Sequence, residues 1–235
     1  MRKFLLTLII VVVIAGQAGA QFWKVLEEKS KPTALTSEEV TKGLKEALIN
    51  GASKGSRLVS QVNGYFGNPE IKIPFPPEVK RVEDQARQIG LGKQVDEFVL
   101  ALNQGAEDAA KEAAPIFIAA IKAMTVQDAF GILKGQPDAA TQYLRKTTSI
   151  QLAEKFKPIV QNSLNKVNAT KYYGDIVGNY NRIPFVQKVN PDLNAYATDM
   201  AIQGLFIMIA KEEKNIRQDP LARTSDILKK VFNQK

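Results

Sequence analysis

Glu212 and Glu213 close the apolar run GLFIMIA (204–210), and Arg217 follows Glu213 by four residues. Residues three and four apart share a helix face, so Glu212 continues the line of Leu205 and Met208, and Glu213 that of Ile209. A carboxylate on such a stripe needs a partner or a proton, because an uncompensated buried charge is costly. A second place of this kind is Asn103 and Glu107, whose line continues through Ala110, Ala114, Phe117 and Ile121. Two chemistries fit. In the first, Glu107, Glu212 or Glu213 pairs with Arg217 or Arg223 and pins the C-terminal segment to the bundle. In the second, Asn103, Glu107, Glu212, Arg217 and Arg223 surround a cavity and orient the polar head of a ligand. The same carboxylates would also serve as a cation site or an acid–base pair.

The chain has no His and no Cys. This excludes a Ser-His-Asp triad, a Cys-His pair, His-ligated zinc and His-ligated haem. Glutamate-based di-metal bundles add His from Glu-x-x-His, and no alternating Asp/Asn calcium loop is present, so no metal or cofactor is expected. Ser163 and Lys166 fit Ser-x-x-Lys, and Lys146-Thr147-Thr148 faintly echoes Lys-Thr-Gly. In serine acyl-transferases that motif opens a helix beside a sheet. Here it falls near a helix end in a helical chain, and we read it as coincidence. No catalytic residue is assigned.

The elements that must position these residues read as helices almost throughout. Residues 36–62 open with Thr36 or Ser37 as cap and Glu38 and Glu39 in the first turn. Gly51 and Gly55 weaken this helix or permit close packing. Further helices are read at 77–89, 94–113 (with Pro115 starting or kinking a continuation, PIFIAAIKAM), TVQDAFGIL from its cap Thr125 to near Gly135, 138–146, 148–166 with Pro158 inside, and 192–217. A closing helix runs from about Pro220 or Ser225 to Phe232. Two breaks, 63–78 and 178–192, each carry Gly-Asn followed by Ile-Pro-Phe. Proline excludes helix there, and the two could pair as a small two-stranded β element. Tyr172, Tyr173 and Tyr180 precede the second break, while Tyr65, Phe66 and Phe75 surround the first. As core they anchor loops; as a site they line the mouth of an apolar pocket walled by Met200, Met208, Phe206 and Phe117. The fold class is all-α, one helical domain over 36–235 behind a linker at 21–35.

The first twenty residues, MRKFLLTLIIVVVIAGQAGA, carry a positive head, a short apolar stretch and the small-residue pattern Ala18-Gly19-Ala20. This is read as an export signal cleaved near Ala20, giving a periplasmic protein, soluble once cleaved. No later stretch is read as a membrane span. The net charge is +8, of which Arg2 and Lys3 supply two. The remaining positive charge is scattered among acids, which points away from nucleic acid.

The ordered motifs NQGAEDAAKEAAPIFIAAIKAMTVQDAFGIL, ATQYLRKTT and GLFIMIAKEEKNIRQDPLARTSDILKKVF resemble the bacterial family DUF4197. The resemblance covers essentially all of the chain after residue 20 and implies a single exported domain; it brings no activity or site residues. The functional expectation is a binding module for a small apolar or amphipathic ligand. Its rival is a structural or interaction component of the envelope with a solid core. A carboxylate-based enzyme ranks last.

Overall fold

Ala197, Ala201, Leu205 and Ile209 recur every fourth residue on the helix Leu193–Gln218, and all four are buried. The computed structural model of the chain describes residues 35–182, 184–185 and 187–219. Within them the helices are α1 (Ser37–Val59), α2 (Lys80–Gln88, entered through a single tight turn at Pro77–Val79), α3 (Gly92–Ala110), α4 (Ala113–Ala123), α5 (Val126–Lys134), α6 (Ala139–Lys166), α7 (Ala169–Tyr180) and α8 (Leu193–Gln218). The segments read from the sequence as a leader (1–20), as residues 21–34 of a linker and as a closing helix, with Arg223, Ile183 and Val186, lie outside the described residues.

Local chemistry sets several of the boundaries. Thr125 Oγ1 accepts from Asp128 N (3.1 Å) while Asp128 Oδ2 accepts from Thr125 N (2.9 Å), a reciprocal box that starts α5. Asp192 caps α8 by accepting from Ala195 N. Of the two readings of Pro115, start or kink, the structure has the start. The proline sits in the first turn of α4, where backbone N–H groups need no intrahelical acceptor. The break expected at Thr147 is absent, and α6 runs unbroken for 28 residues. Thr147, Thr148 and Ser149 each turn a hydroxyl back to the carbonyl four residues earlier, so these poor helix formers are absorbed. Leu144, Thr148, Leu152, Phe156 and Val160 then stay on one buried face. One helix, α7, went unread in the sequence. Ala169, Tyr173 and Val177 are its buried stripe, partly masked by Gly174 and Gly178.

Helix α8 packs against α1, α3 and α6 and takes the central place in the core. By length and composition alone it would suffice to cross a membrane, contrary to the expectation that no later stretch would. In the fold, 61% of that apolar window is buried inside the protein, so its apolar face is already in use. Close packing by α1 does occur: a Cβ on Gly55 would lie 2.8 Å from Ile209 Cδ1 and 3.6 Å from the α8 backbone, so any larger residue there would have to displace the Ile209 side chain. Gly204 plays the same part for the first break, since its Cβ would meet the Tyr65 ring at 2.6 Å.

No strand occurs among the described residues. In the first break, the groups that would pair a strand at Ile73 are taken by a side chain: Asn103 Oδ1 accepts from Ile73 N (2.8 Å), and Asn103 Nδ2 donates to Ile73 O (2.9 Å). The two Ile-Pro-Phe segments are not equivalent either. Phe75 is buried, whereas Phe185 is fully exposed with a φ of +63°.

Candidate functional site

The polar residues singled out on the apolar stripes all meet protein groups. Asn103, wholly buried on α3, also donates to Val99 O at 2.8 Å, so its amide makes three hydrogen bonds to backbone. Glu107, one turn on, accepts at one oxygen from Tyr65 N (3.0 Å) and Phe66 N (3.1 Å). From α8, Ala201 O accepts from the Tyr65 hydroxyl at 2.6 Å. Tyr196 donates to Pro74 O. The first break is thereby tied to α3 by two side chains and to α8 by two tyrosine hydroxyls.

The acid–arginine cluster caps a helix. Glu213 Oε1 accepts from Ala140 N (3.0 Å) and its Oε2 from Thr141 N (2.8 Å) and Thr141 Oγ1 (2.7 Å). Arg217 donates Nε and a terminal nitrogen to Glu213 Oε1, and reaches Ile132 O at 3.0 Å. Asp138 at the N-cap of α6 makes no side-chain cap bond, so α8 supplies the acceptor that α6 lacks. Glu212 pairs instead with Lys54 of α1 at 2.8 Å. The cavity beside Glu213 and Arg217 is only about 10 Å³, room for a single water at most. Ser163 is buried where α6 crosses Gly105 of α3. Among the described residues no three carboxylates converge in a geometry able to hold a metal ion.

Room for a ligand lies elsewhere. A cleft of about 610 Å³ opens between α2, the start of α3 and the α6–α7 junction. Its floor holds a chain of rings: Phe75 and Phe98 have centroids 4.8 Å apart, and Phe98 and Tyr173 6.4 Å. Val82 and Ala86 of α2 form one wall; Ala169, Tyr172 and Ile176 of α7 form the other. No residue of α2 is fully buried, so its apolar stripe lies only half covered. Gly90, at a φ of +88°, makes the tight turn from α2 into α3. Arg87 then staples the two, donating to Glu83 and to Asp96 at 2.8 Å. Leu91 and Tyr172 stand at the mouth, 42% and 57% exposed. Asn103, Glu107, Glu212 and Arg217 are not among the lining residues. Phe117 and Phe206 form an edge-to-face pair in the core, and neither they nor Met200 and Met208 line the cleft. Only the tyrosine part of the sequence-read pocket, Tyr172 and Tyr173, together with Phe75, sits there.

Burial favours the neutral form of four tyrosines, of which Tyr143 is the least buried. Burial pushes the Tyr173 hydroxyl up to about 12, with Glu78 adding to the effect. Burial likewise raises Tyr65, helped by the Glu107 charge, and Tyr196, helped by Glu78. An unfolded tyrosine ionises near pH ~10. Stability from these groups is therefore fully present below about pH 10 and declines above it, as the unfolded chain sheds protons that the folded chain keeps. For wholly buried Tyr65 the decline is about 1.4 kcal/mol per pH unit. Urea unfolding between about pH 8 and 11 is expected to show Tyr65→Phe less stable than the parent at the low end, with the gap closing as pH rises. A constant gap would mean that the Tyr65 hydroxyl ionises in the folded state.

Fold and cleft define the class: an all-α domain with a half-open apolar cleft on its side, its buried carboxylates and Asn103 engaged by groups of the protein itself. Residues 34–233 match the model of DUF4197, a protein family of unknown function, and the chain belongs to that family. No curated protein and no solved structure matches the chain.

Proposed function

We propose that this DUF4197 member is a non-catalytic binding protein of the bacterial envelope, exported by residues 1–20, that holds a small apolar or amphipathic molecule in the cleft between α2, α3 and α7. The observation that carries the reading is the unfinished apolar face: α2 contributes no buried residue, and its Val82 and Ala86, only partly buried against the core, line the cleft together with Phe75, Phe98 and Tyr173. A volume of about 610 Å³ is ordinary for small-molecule pockets, which are mostly apolar with a few polar groups at the edge. The carboxylates that an enzyme would need are engaged with backbone, Arg217 and Lys54. The rival reading, an envelope scaffold with a solid core, draws on the filled interior around Glu213.

The test is uptake of a neutral fluorescent probe, N-phenyl-1-naphthylamine, by protein purified from its envelope. N-terminal sequencing comes first, with Gln21 as the expected start; a chain beginning at Met1 would remove the cleaved-signal part of the proposal. Saturable fluorescence enhancement is expected. Ala86→Trp, which places an indole in the cleft from a half-buried helix position, is expected to weaken uptake by at least about tenfold while leaving the melting temperature nearly unchanged. No saturable uptake, or uptake indifferent to Ala86→Trp, would move the weight to the scaffold.

A further inference from the structure

We infer that the ligand is an anionic amphiphile, its acidic head at Lys166 and its apolar body on the Phe75–Phe98–Tyr173 rings. The inference rests on the cleft being the ligand site and adds the polarity of what enters it. Two charged side chains border the cleft, Glu97 and Lys166. Glu97 shares its charge with Lys93, one turn earlier on α3, in a loose, solvent-exposed pair at 3.8 Å. Lys166 makes no ion pair with any described residue and borders the cleft. It occupies the last turn of α6, from which its aliphatic stem can lie along the apolar rim while the ammonium stays in water. The next element leans the same way. Asn168, the N-cap of α7 with a φ of +54°, makes no side-chain cap bond, so no cap carboxylate or hydroxyl offsets the positive end of α7 beside Lys166.

A cationic head would meet Lys166 and would share Glu97 with Lys93. A neutral head would leave the ammonium unanswered but would lose little, because the ammonium is exposed. An anionic head gains a charge-assisted contact where one side is already apolar. The gain is modest, since one partner is solvated, and it is sensitive to salt. Carboxylate and phosphate share this chemistry, and the experiment separates them.

The probe-loaded protein is titrated below micelle concentrations with a single-chain series of equal length: laurate, dodecyl phosphate, dodecanol and dodecyltrimethylammonium. At low salt the anions are expected to displace probe at roughly fivefold lower concentration than dodecanol, and the cation at a higher one. High salt should shrink the differences. In Lys166→Met the ratio of anion to dodecanol is expected to fall to about one, and in Lys166→Arg it should persist. Laurate ahead of dodecyl phosphate assigns a carboxylate; the reverse order assigns a phosphate. Equal displacement by laurate, dodecyl phosphate and dodecanol, or an anion advantage that survives Lys166→Met, overturns the anionic ligand yet leaves the cleft standing as an apolar site. Failure of the probe to bind at all overturns both.

Discussion

Glu213→Ala is expected to lower the unfolding free energy by about 3–5 kcal/mol, the largest loss from any single polar substitution here. Four groups converge on that carboxylate: the backbone N–H of Ala140 and of Thr141, the Thr141 hydroxyl, and the Arg217 guanidinium. Glu213 is 6% exposed, so water cannot take over the vacated bonds. The substitution strands the first N–H groups of a 28-residue helix and leaves Arg217 in a half-buried site without its carboxylate. For a domain of this size the melting temperature should drop on the order of 10 °C. Glu213→Gln keeps the shape but loses the charge, and belongs in between, at about 1.5–3 kcal/mol. A double-mutant cycle with Arg217→Met separates the cap from the ion pair: a coupling near zero would show that the cap dominates. A Glu213→Ala variant within about 1 kcal/mol of the parent would mean that α6 does not depend on α8 for its N-terminus.

The sequence marks Glu213 as unusual because a carboxylate on an apolar stripe is rare, but it does not say what answers it. The helical period brings Arg217 within reach on the same face, and that pairing was legible. The other partners, Ala140 and Thr141, are backbone groups some seventy residues away, and a backbone N–H leaves no mark in the residue type. The same holds for Asn103 and Glu107, whose partners are peptide groups of Ile73, Tyr65 and Phe66. The helices themselves were readable wherever the stripe was long, as in α1, α3 and α8. They were misread where side-chain chemistry overrode propensity, as at Thr147-Thr148-Ser149, or where glycines diluted the pattern, as in α7. That last omission hid the cleft. Its walls come from α2, α3, the end of α6 and α7, so no single segment announces it, and the element left unread is one of the two that face each other across it.

Asn103→Leu is expected to cost about 2–5 kcal/mol and to weaken the cleft as well. Leucine has the branching and heavy-atom count of asparagine, so the larger part of the loss is in hydrogen bonding, with some overpacking added. That part comes from stranding Ile73 N–H and Ile73 C=O, each buried and each answered by the Asn103 amide. Each unsatisfied backbone group costs about 1–3 kcal/mol, and two are left together. Asn103→Asp restores the acceptor for Ile73 N but sets a carboxylate against Ile73 O and Val99 O, so it is expected to be no better than leucine. Glu107→Gln, which weakens only the acceptor for Tyr65 and Phe66, should cost about 1–3 kcal/mol. The functional consequence follows from two residues of chain: Phe75, a ring of the cleft floor, lies just beyond Ile73 and packs against Phe98 with the rings tilted. Unfolding by urea gives the first half of the prediction, and probe uptake at a temperature where Asn103→Leu remains folded gives the second. Loss of uptake by folded Asn103→Leu, with uptake retained in a Glu107→Gln variant, would show that the amide clamp at Ile73 sets the floor of the cleft. Uptake retained by folded Asn103→Leu would instead mean that α2, α3 and α7 form a sufficient site without the loop, and that the clamp serves stability alone.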